Sequence, residues 1–516
     1  EREAPLASEG GSLVFTGVEE DPETLETLTK LGFKDAVHVS AGIRGWHHGR
    51  VRAMRNARAR ERLTQLTPAL LEALARTADP DAAFAQFDRF LGGLPAGIQL
   101  FSMLHANPHL LRLIAEIAGS APRIATHLAR SPATLDALID PGFLGELPSR
   151  RQLDRLLRNQ LEHARDFEGA LDAARRLAKE QIFRVGAQII DGVAKADEAG
   201  PAFAHIADSI IAGLLPVVEE ELTAASGTIE GGAFSVIAMG KLGGREMTAS
   251  SDLDLIFVYD APPDGESTGT RKLAVTTYYA RLAQRFIAAL TAPTAEGTLY
   301  EVDMRLRPTG NKGPVAVSLE SFRRYHKTES WTWERMALTR ARLITSSGDL
   351  GPKVAAEIAT TLCTPMEQAK LLKDARDMRD RLAAQFAPKS PWDLKFARGG
   401  LVDIEFIAQY LQLNTAAAFA DVLSQNTVEA LERLQQRGAL PAADAQGLID
   451  AAILQGNLQQ ILRIAIDATP EFLSTSPGLK GLLVRAGNTQ GFDQLEIRLA
   501  EAQSAARQIF ERILPA

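Results

Sequence analysis

With 516 residues the chain is too long for one compact core, and two to four domains are expected. Apolar residues at 46% and charged residues at 23% are ordinary for a globular protein, while a net charge of −7 argues against a general nucleic-acid binder. Cys363 is the single cysteine, which excludes a disulfide or a cysteine-rich zinc site within this chain and makes a reducing cytoplasm the expected compartment.

Aromatic residues are few, and Ala, Leu and Arg are abundant, a balance that favours helices. Residues 1–11 are acidic with Gly and Ser, and show neither a basic start nor an apolar signal core. The chain begins with Glu rather than Met, as a fragment of something longer would. No uninterrupted apolar run is long enough to span a bilayer. Up to about residue 31 the pattern reads as an extension with one short helix. From Trp46 to about Lys195, leucines and alanines recur at three- and four-residue intervals, so helices are predicted nearly throughout. Pro68, Pro80, Pro95, Pro108, Pro122 and Pro132 punctuate that stretch into short helices. Residues 150–194 run on without proline, a further helix is predicted over 201–222, and residues 227–232 form a Gly-rich break.

The texture changes at Phe234. Phe-Ser-Val-Ile-Ala-Met is a compact apolar run ending in Gly-Lys-Leu-Gly-Gly, which reads as a buried strand and a tight turn. A second strand is predicted over 252–259, a helix over 272–290, a third strand over 298–306 and a short fourth over 315–317. After Ser318 the helical pattern returns and continues to the end. The result is a small α/β island between two helical blocks.

Side chains alternate on a strand, so Asp252 and Asp254 share one face while Leu253, Leu255 and Phe257 share the other. On the third strand Glu301, Asp303 and Arg305 share a face. Two carboxylates side by side repel unless a cation lies between them, and hard oxygen ligands suit Mg²⁺. Gly243 and Gly244 would let backbone N–H groups approach a polyphosphate, with Lys241, Arg245, Arg305 and Arg307 offsetting its charge. Asp-x-Asp and Gly-Gly are each commonplace alone. Their order, with an apolar opposite face on both acidic strands, points to two-metal nucleotidyl transfer. There is no P-loop sequence, no Gly-x-Gly-x-x-Gly spacing and no His-Glu-x-x-His helix.

Five segments resemble glutamine synthetase adenylyltransferase, the bifunctional adenylylating and adenylyl-removing family of bacterial nitrogen control. They are Met239-Gly-Lys-Leu-Gly-Gly-Arg-Glu-Met, Ser250-Ser-Asp-Leu-Asp-Leu-Ile-Phe, Val302-Asp-Met-Arg-Leu-Arg-Pro, Trp333-Glu-Arg-Met-Ala-Leu-Thr-Arg-Ala-Arg and Arg398-Gly-Gly-Leu-Val-Asp-Ile-Glu-Phe. Members of that family are about twice this length and contain two similar halves. The stretch from Arg307 to Pro314 and the phrase Ser330-Trp-Thr-Trp-Glu look more like the C-terminal, adenylylating half. The resemblance implies a predominantly α, α+β protein with a DNA-polymerase-β-like nucleotidyltransferase core flanked by helical domains. The implied division is an extension over 1–45, a helical domain over 46–145, the nucleotidyltransferase domain with long leading helices over 146–350 and a helical bundle over 351–516.

It implies transfer of AMP from ATP to a tyrosine of glutamine synthetase, with two Mg²⁺ ions on Asp252, Asp254 and Asp303. Lys241, Gly243, Gly244, Arg245, Ser251, Arg305 and Arg307 are the expected nucleotide-binding residues. A PII-type signal protein and glutamine are the expected regulators, the enzyme's other half is a further partner, and no nucleic acid or membrane is expected. Phosphorolytic removal of AMP and a non-catalytic docking module are the alternatives.

Three other groups invite a role. Trp331, Arg335, Leu338 and Arg342 fall at helical spacing, with packing expected for the tryptophans and the arginines left open between solvent and phosphate. Asp403 and Glu405 stand in the first turn of a predicted helix, where acids complement its dipole. Arg44, His47, His48, Arg50, Arg52, Arg55, Arg58 and Arg60 form a basic stretch that reads as a solvated face, with partner docking as the sharper alternative.

Overall fold

The computed structural model describes residues 21–48, 51–94, 97–121, 124–125, 142–466 and 477–515, together with a short antiparallel pair, β1 (Ala4–Pro5) and β2 (Ser12–Leu13). The architecture is predominantly helical with one small mixed sheet, an α+β arrangement. The chain divides into two compact units. One comprises residues 1–147, 182–196 and 460–495; the other comprises 148–181, 197–459 and 496–516.

In the first unit, helices begin where the sequence supplies caps. Asp21, Asp35, Asn56 and Asp79 each accept a backbone N–H of the helix they open, and Pro22, Pro80 and Pro108 occupy first-turn positions where no donor is missed. Pro68, expected to end a helix, lies inside Ala57–Ala75; Pro95, Pro122 and Pro132 fall outside the described residues. The core gathers Phe33, Trp46, Phe84 and Phe87, all buried. Trp46 stacks on Phe84 at 5.3 Å and donates its indole N–H to Asp88 at 2.6 Å. Arg52, Arg55 and Arg58 are exposed, as a solvated face would be, whereas Arg60 turns inward to the Met54 carbonyl; Arg50 lies outside the described residues.

The second unit holds the sheet. Strand β3 (Ala233–Ala238) pairs antiparallel with β4 (Leu253–Asp260) and with β7 (Arg342–Ser346). The other edge of β4 carries two short parallel partners in succession, β5 (Val302–Asp303) and β6 (Ala316–Ser318). Alternation along β4 separates two cores. Phe257 packs on one face with Phe234 and Phe286, the latter from the Val275–Thr291 helix, and Tyr259 stacks on Tyr279 of the same helix at 4.5 Å. Ile256 and Val258 face the other way, into a core with Phe322, Met336, Leu338, Ile404 and Ile407. Asp254 has the parity of Ile256 and therefore lies on the face covered by the later helices.

Three expectations change here. The third strand, predicted over 298–306, is two residues long because Asp303 accepts the Arg305 backbone N–H at 2.8 Å and turns the chain. The helical stripe of Trp331, Arg335, Leu338 and Arg342 is broken, since the helix spans Thr332–Leu338 and Arg342 opens β7. Trp331, expected to pack, is 69% exposed. One described helix, Ala196–Ser226, is long and apolar enough to cross a membrane by length and composition, but 67% of its most apolar window is buried within the protein, as in a core helix.

Candidate active site

The connection from β3 to β4 opens with a single helical turn, Gly240–Gly243, capped by Gly244. Its first residue has φ +52°, and a Cβ there would collide with the Asp254 carboxylate. Glycine at 240 is therefore what lets the turn close over that side chain. Met239 fixes the same region by donating its N–H to the Asp254 carbonyl at 2.9 Å. At the far end of the turn, Arg342 forks onto Asp208 at 2.8 and 2.9 Å and donates to the carbonyls of Leu242 and Gly243 at 2.9 and 3.1 Å. An always-charged planar group thus satisfies the terminal carbonyls of the turn and pins them to the Ala196–Ser226 helix.

Asp254 and Asp303 are register partners across the parallel β4–β5 pair, and Asp252 stands two residues before Asp254 at the exposed start of the strand. The Asp254 carboxyl is pushed up to about 6, first by burial and then by the charges of Asp303 and Asp252, against the pull of Lys395 and Arg340. Burial also works against a charge on Asp303. There the Arg305 guanidinium, with Nε 2.7 Å from Oδ2, outweighs it and, together with the Arg305 backbone N–H and the Arg307 charge, holds the carboxyl below the usual range. As pH falls, Asp254 therefore takes up a proton before Asp303 does. Among the described residues, no three His, Cys, Asp or Glu side chains converge tightly enough to hold an ion as they stand. The donor set is nevertheless all carboxylate oxygen, with a charge on Asp254 that its surroundings leave under-compensated, and it fits a hard divalent cation.

The expected phosphate binders are distributed less simply. Gly243 and Gly244 do not face open space. A Cβ at Gly243 would collide with the Arg340 carbonyl, and one at Gly244 with the Arg340 guanidinium and, at 2.8 Å, the Gln425 carbonyl. A Cβ at either position would meet neighbouring protein, which is a packing reason for glycine there. Lys241 is half-buried and donates to Gln459; burial draws its ammonium down to about 8, with Glu405 the main charge opposing that shift. Arg245, in the left-handed region at φ 55°, is exposed, and its charge meets Arg342, Asp208 and Glu429 rather than the acidic strand. The Ser251 hydroxyl accepts the Thr248 N–H at 2.9 Å and closes the turn before β4. Arg305 is held by Asp303, with its charge also felt at Asp254 and Asp252. Arg307 is buried and donates to the Met304, Pro314 and Gly313 carbonyls at 2.7, 3.1 and 3.3 Å, which makes it the staple of its own loop.

The family described as Glutamate-ammonia ligase adenylyltransferase matches residues 111–357, which include all five strands of the sheet and the three aspartates. The family described as GlnD PII-uridylyltransferase matches residues 369–514. A protein of Rhizobium meliloti named bifunctional glutamine synthetase adenylyltransferase/adenylyl-removing enzyme is 44% identical over 100% of this chain and 52% of its own length. The chain is similar to that protein over its whole length. Relatives of the same name from Brucella melitensis, 43% identical over 100% of this chain and 52% of theirs, and from Caulobacter vibrioides, 44% identical over 99% and 51%, agree. The chain thus spans about half the length of the curated relatives it matches.

Sequence reading passed over several residues that the structure brings near the glycine turn and the acidic strand. Gly240, rather than the Gly-Gly pair, touches Asp254. Arg340 is buried between Glu246 and Glu405; burial alone would lower its pKa, but the two carboxylates raise it. Glu246 in turn accepts the Thr427 N–H at 2.6 Å. Asp403 and Glu405, expected only to complement the helix dipole, each meet their own arginine, Arg379 and Arg340 respectively. Lys395, whose charge acts on Asp254, lies three residues before the Arg398-Gly-Gly segment and carried no signal of its own.

Proposed function

We propose that the chain is a metal-dependent nucleotidyltransferase of the DNA-polymerase-β type, which moves AMP from ATP to a tyrosine hydroxyl of glutamine synthetase and releases pyrophosphate. The observation that carries this reading is the register of Asp254 against Asp303, with Asp252 on the same face: three acids drawn from two strands about 50 residues apart. Asp252 and Asp254 would hold two Mg²⁺ ions, with Asp303 joining the second. When bound, the ions would offset the triphosphate charge and lower the pKa of the attacking hydroxyl. The tyrosine oxygen bonds to the α-phosphorus as the bond from that phosphorus to the bridging oxygen breaks, and pyrophosphate leaves with that electron pair. Asp303, still charged at neutral pH, would help take the hydroxyl proton. Gly240 and the Arg342–Asp208 fork keep the turn and the acidic strand in one arrangement.

The names of the relatives carry two activities and this chain spans half their length, which favours a second reading: phosphate attacks the AMP–tyrosine linkage, the tyrosine leaves, and ADP forms. The match of residues 369–514 to a PII-uridylyltransferase family supports placing the response to a PII-type protein and glutamine in the C-terminal helices. Such a reaction partner makes the cytoplasm the compartment we infer. The test supplies α-labelled ATP, Mg²⁺ and unmodified glutamine synthetase in one vessel, and adenylylated glutamine synthetase with phosphate in another. Label on the target in the first vessel is the expected result. ADP in the second alone would select the reverse reaction, and neither product would leave the docking-module reading.

A further inference from the structure

Arg340 stands in the turn between the Thr332–Leu338 helix and β7. Its backbone is fixed there, with its N–H donating to the Ala337 carbonyl at 3.1 Å and the Ala341 N–H to the Leu338 carbonyl at 2.9 Å. The residue meets the glycine turn at two points. Its carbonyl occupies the space that a Cβ at Gly243 would need, and its guanidinium the space that one at Gly244 would need. The side chain is buried and pairs with two carboxylates, Glu246 just beyond the turn and Glu405, 3.3 Å away on the Leu401–Thr415 helix. Among the described residues its Nε–H finds no partner, which leaves the two acids to hold the group.

Glu246 carries the connection further. Its Oε2 accepts from Arg340, while its Oε1 accepts the Thr427 N–H at 2.6 Å, in the first turn of the Thr427–Gln436 helix where a backbone donor has no partner within the helix. Asn426 caps that helix by accepting the Glu429 N–H at 3.1 Å, and donates its own amide to the Gly244 carbonyl at 3.2 Å. The Glu246 N–H donates back to the Lys241 carbonyl at 2.9 Å. The later helices thus hold one end of the glycine turn, and at the other end Gly240 closes on the Asp254 carboxylate.

We propose that Arg340 is a positioning residue for nucleotidyl transfer: by forking between Glu246 and Glu405 it fixes the glycine turn, and with it Gly240 over Asp254, to the C-terminal helices. This rests on the reading of the acidic strand as a nucleotidyltransferase site. The guanidinium sets the place of the backbone that lies on one of the acids and has no contact with the reacting atoms. A planar, permanently charged fork can meet both carboxylates at once, whereas an ammonium is a point charge on a flexible stem. Freeing the turn lets the Asp254 carboxylate leave its productive position, and a misplacement of about 1 Å costs roughly 100-fold in rate.

The test measures kcat and KM for whichever of the two reactions the whole chain performs, in wild type, Arg340→Lys, Glu405→Gln and the double variant. Hydrogen exchange of residues 239–246 is followed in the same proteins by mass spectrometry. Leu448→Ala, at a buried leucine of the Ala442–Ala465 helix, controls for lost stability. Arg340→Lys and Glu405→Gln each lower kcat about tenfold or more, change KM by less than about threefold and speed exchange in the turn. Because they break one connection, the double variant loses no more than the worse single one. Leu448→Ala lowers the melting temperature and leaves kcat within about twofold. Unchanged kcat in a folded Arg340→Lys variant overturns the role of Arg340, as does an equal fall in Leu448→Ala at the same loss of melting temperature. Losses that multiply in the double variant overturn the link through Glu405. If wild type performs neither reaction, the nucleotidyltransferase reading falls and this role with it.

Discussion

Replacing Asp254 by Asn removes a carboxyl that burial and two neighbouring acids hold at about 6, above the usual 3.8. The sign follows from comparing folded and unfolded chains. Below about pH 4 both are protonated and nothing is lost; above about pH 6 the folded chain must keep a disfavoured charge, at a cost on the order of 2–3 kcal/mol. Without divalent ions, Asp254→Asn should therefore stabilise the chain at pH 7.5 by about that amount and leave stability at pH 4 nearly unchanged, as denaturant melts at the two pH values will report. The same group makes divalent-ion affinity fall as pH drops through about 6. Gly240 gives a second test at this scale. Gly240→Ala combines a left-handed backbone, worth about 1–2 kcal/mol, with a methyl group driven at the Asp254 carboxylate. Adenylyl transfer is expected to fall by about 100-fold or more. Gly438→Ala, at φ +72° with open space around it, should cost comparable stability and leave transfer intact.

At the scale of elements, the Arg342–Asp208 fork joins β7, the glycine turn and the Ala196–Ser226 helix. Asp208→Ala leaves the partly buried Arg342 guanidinium without its carboxylate, and removing one partner of a buried pair costs up to about 3–5 kcal/mol. Urea melts should show that loss, with transfer activity falling alongside it because the turn beside Asp254 is released. Elements also mark what sequence could and could not reveal. Leu253, Leu255 and Phe257 against Asp252 and Asp254 is a period-two pattern within six residues, so β4 and its acidic face were legible. The extent of β5 was not, because Asp303 looks like a strand residue until its carboxylate captures the Arg305 N–H and ends the strand. Arg342 fitted a helical stripe equally well. What makes it a strand residue is pairing with β3, about 100 residues earlier, and local spacing carries no trace of that. The packing of Gly243 and Gly244 on Arg340 was hidden for the same reason.

At the scale of the molecule, the segment holding the sheet and the segment holding Lys395 and Glu405 match two different families, one covering residues 111–357 and the other 369–514. Charges from both segments act on Asp254, Arg340 from the first and Lys395 from the second, and Arg340 pairs with Glu405 across the two. A chain cut after residue 363 should accordingly lose ATP binding even where the sheet survives, which calorimetry beside circular dichroism would establish. The acids themselves are tested most directly with Mn²⁺ in place of Mg²⁺, by following free Mn²⁺ with electron paramagnetic resonance as the chain is titrated in the presence of ATP. Wild type should sequester two ions per chain, and the Asp252→Asn, Asp254→Asn double variant should sequester neither. Equal uptake by the two proteins would contradict the assignment of the acidic strand as the metal-binding centre.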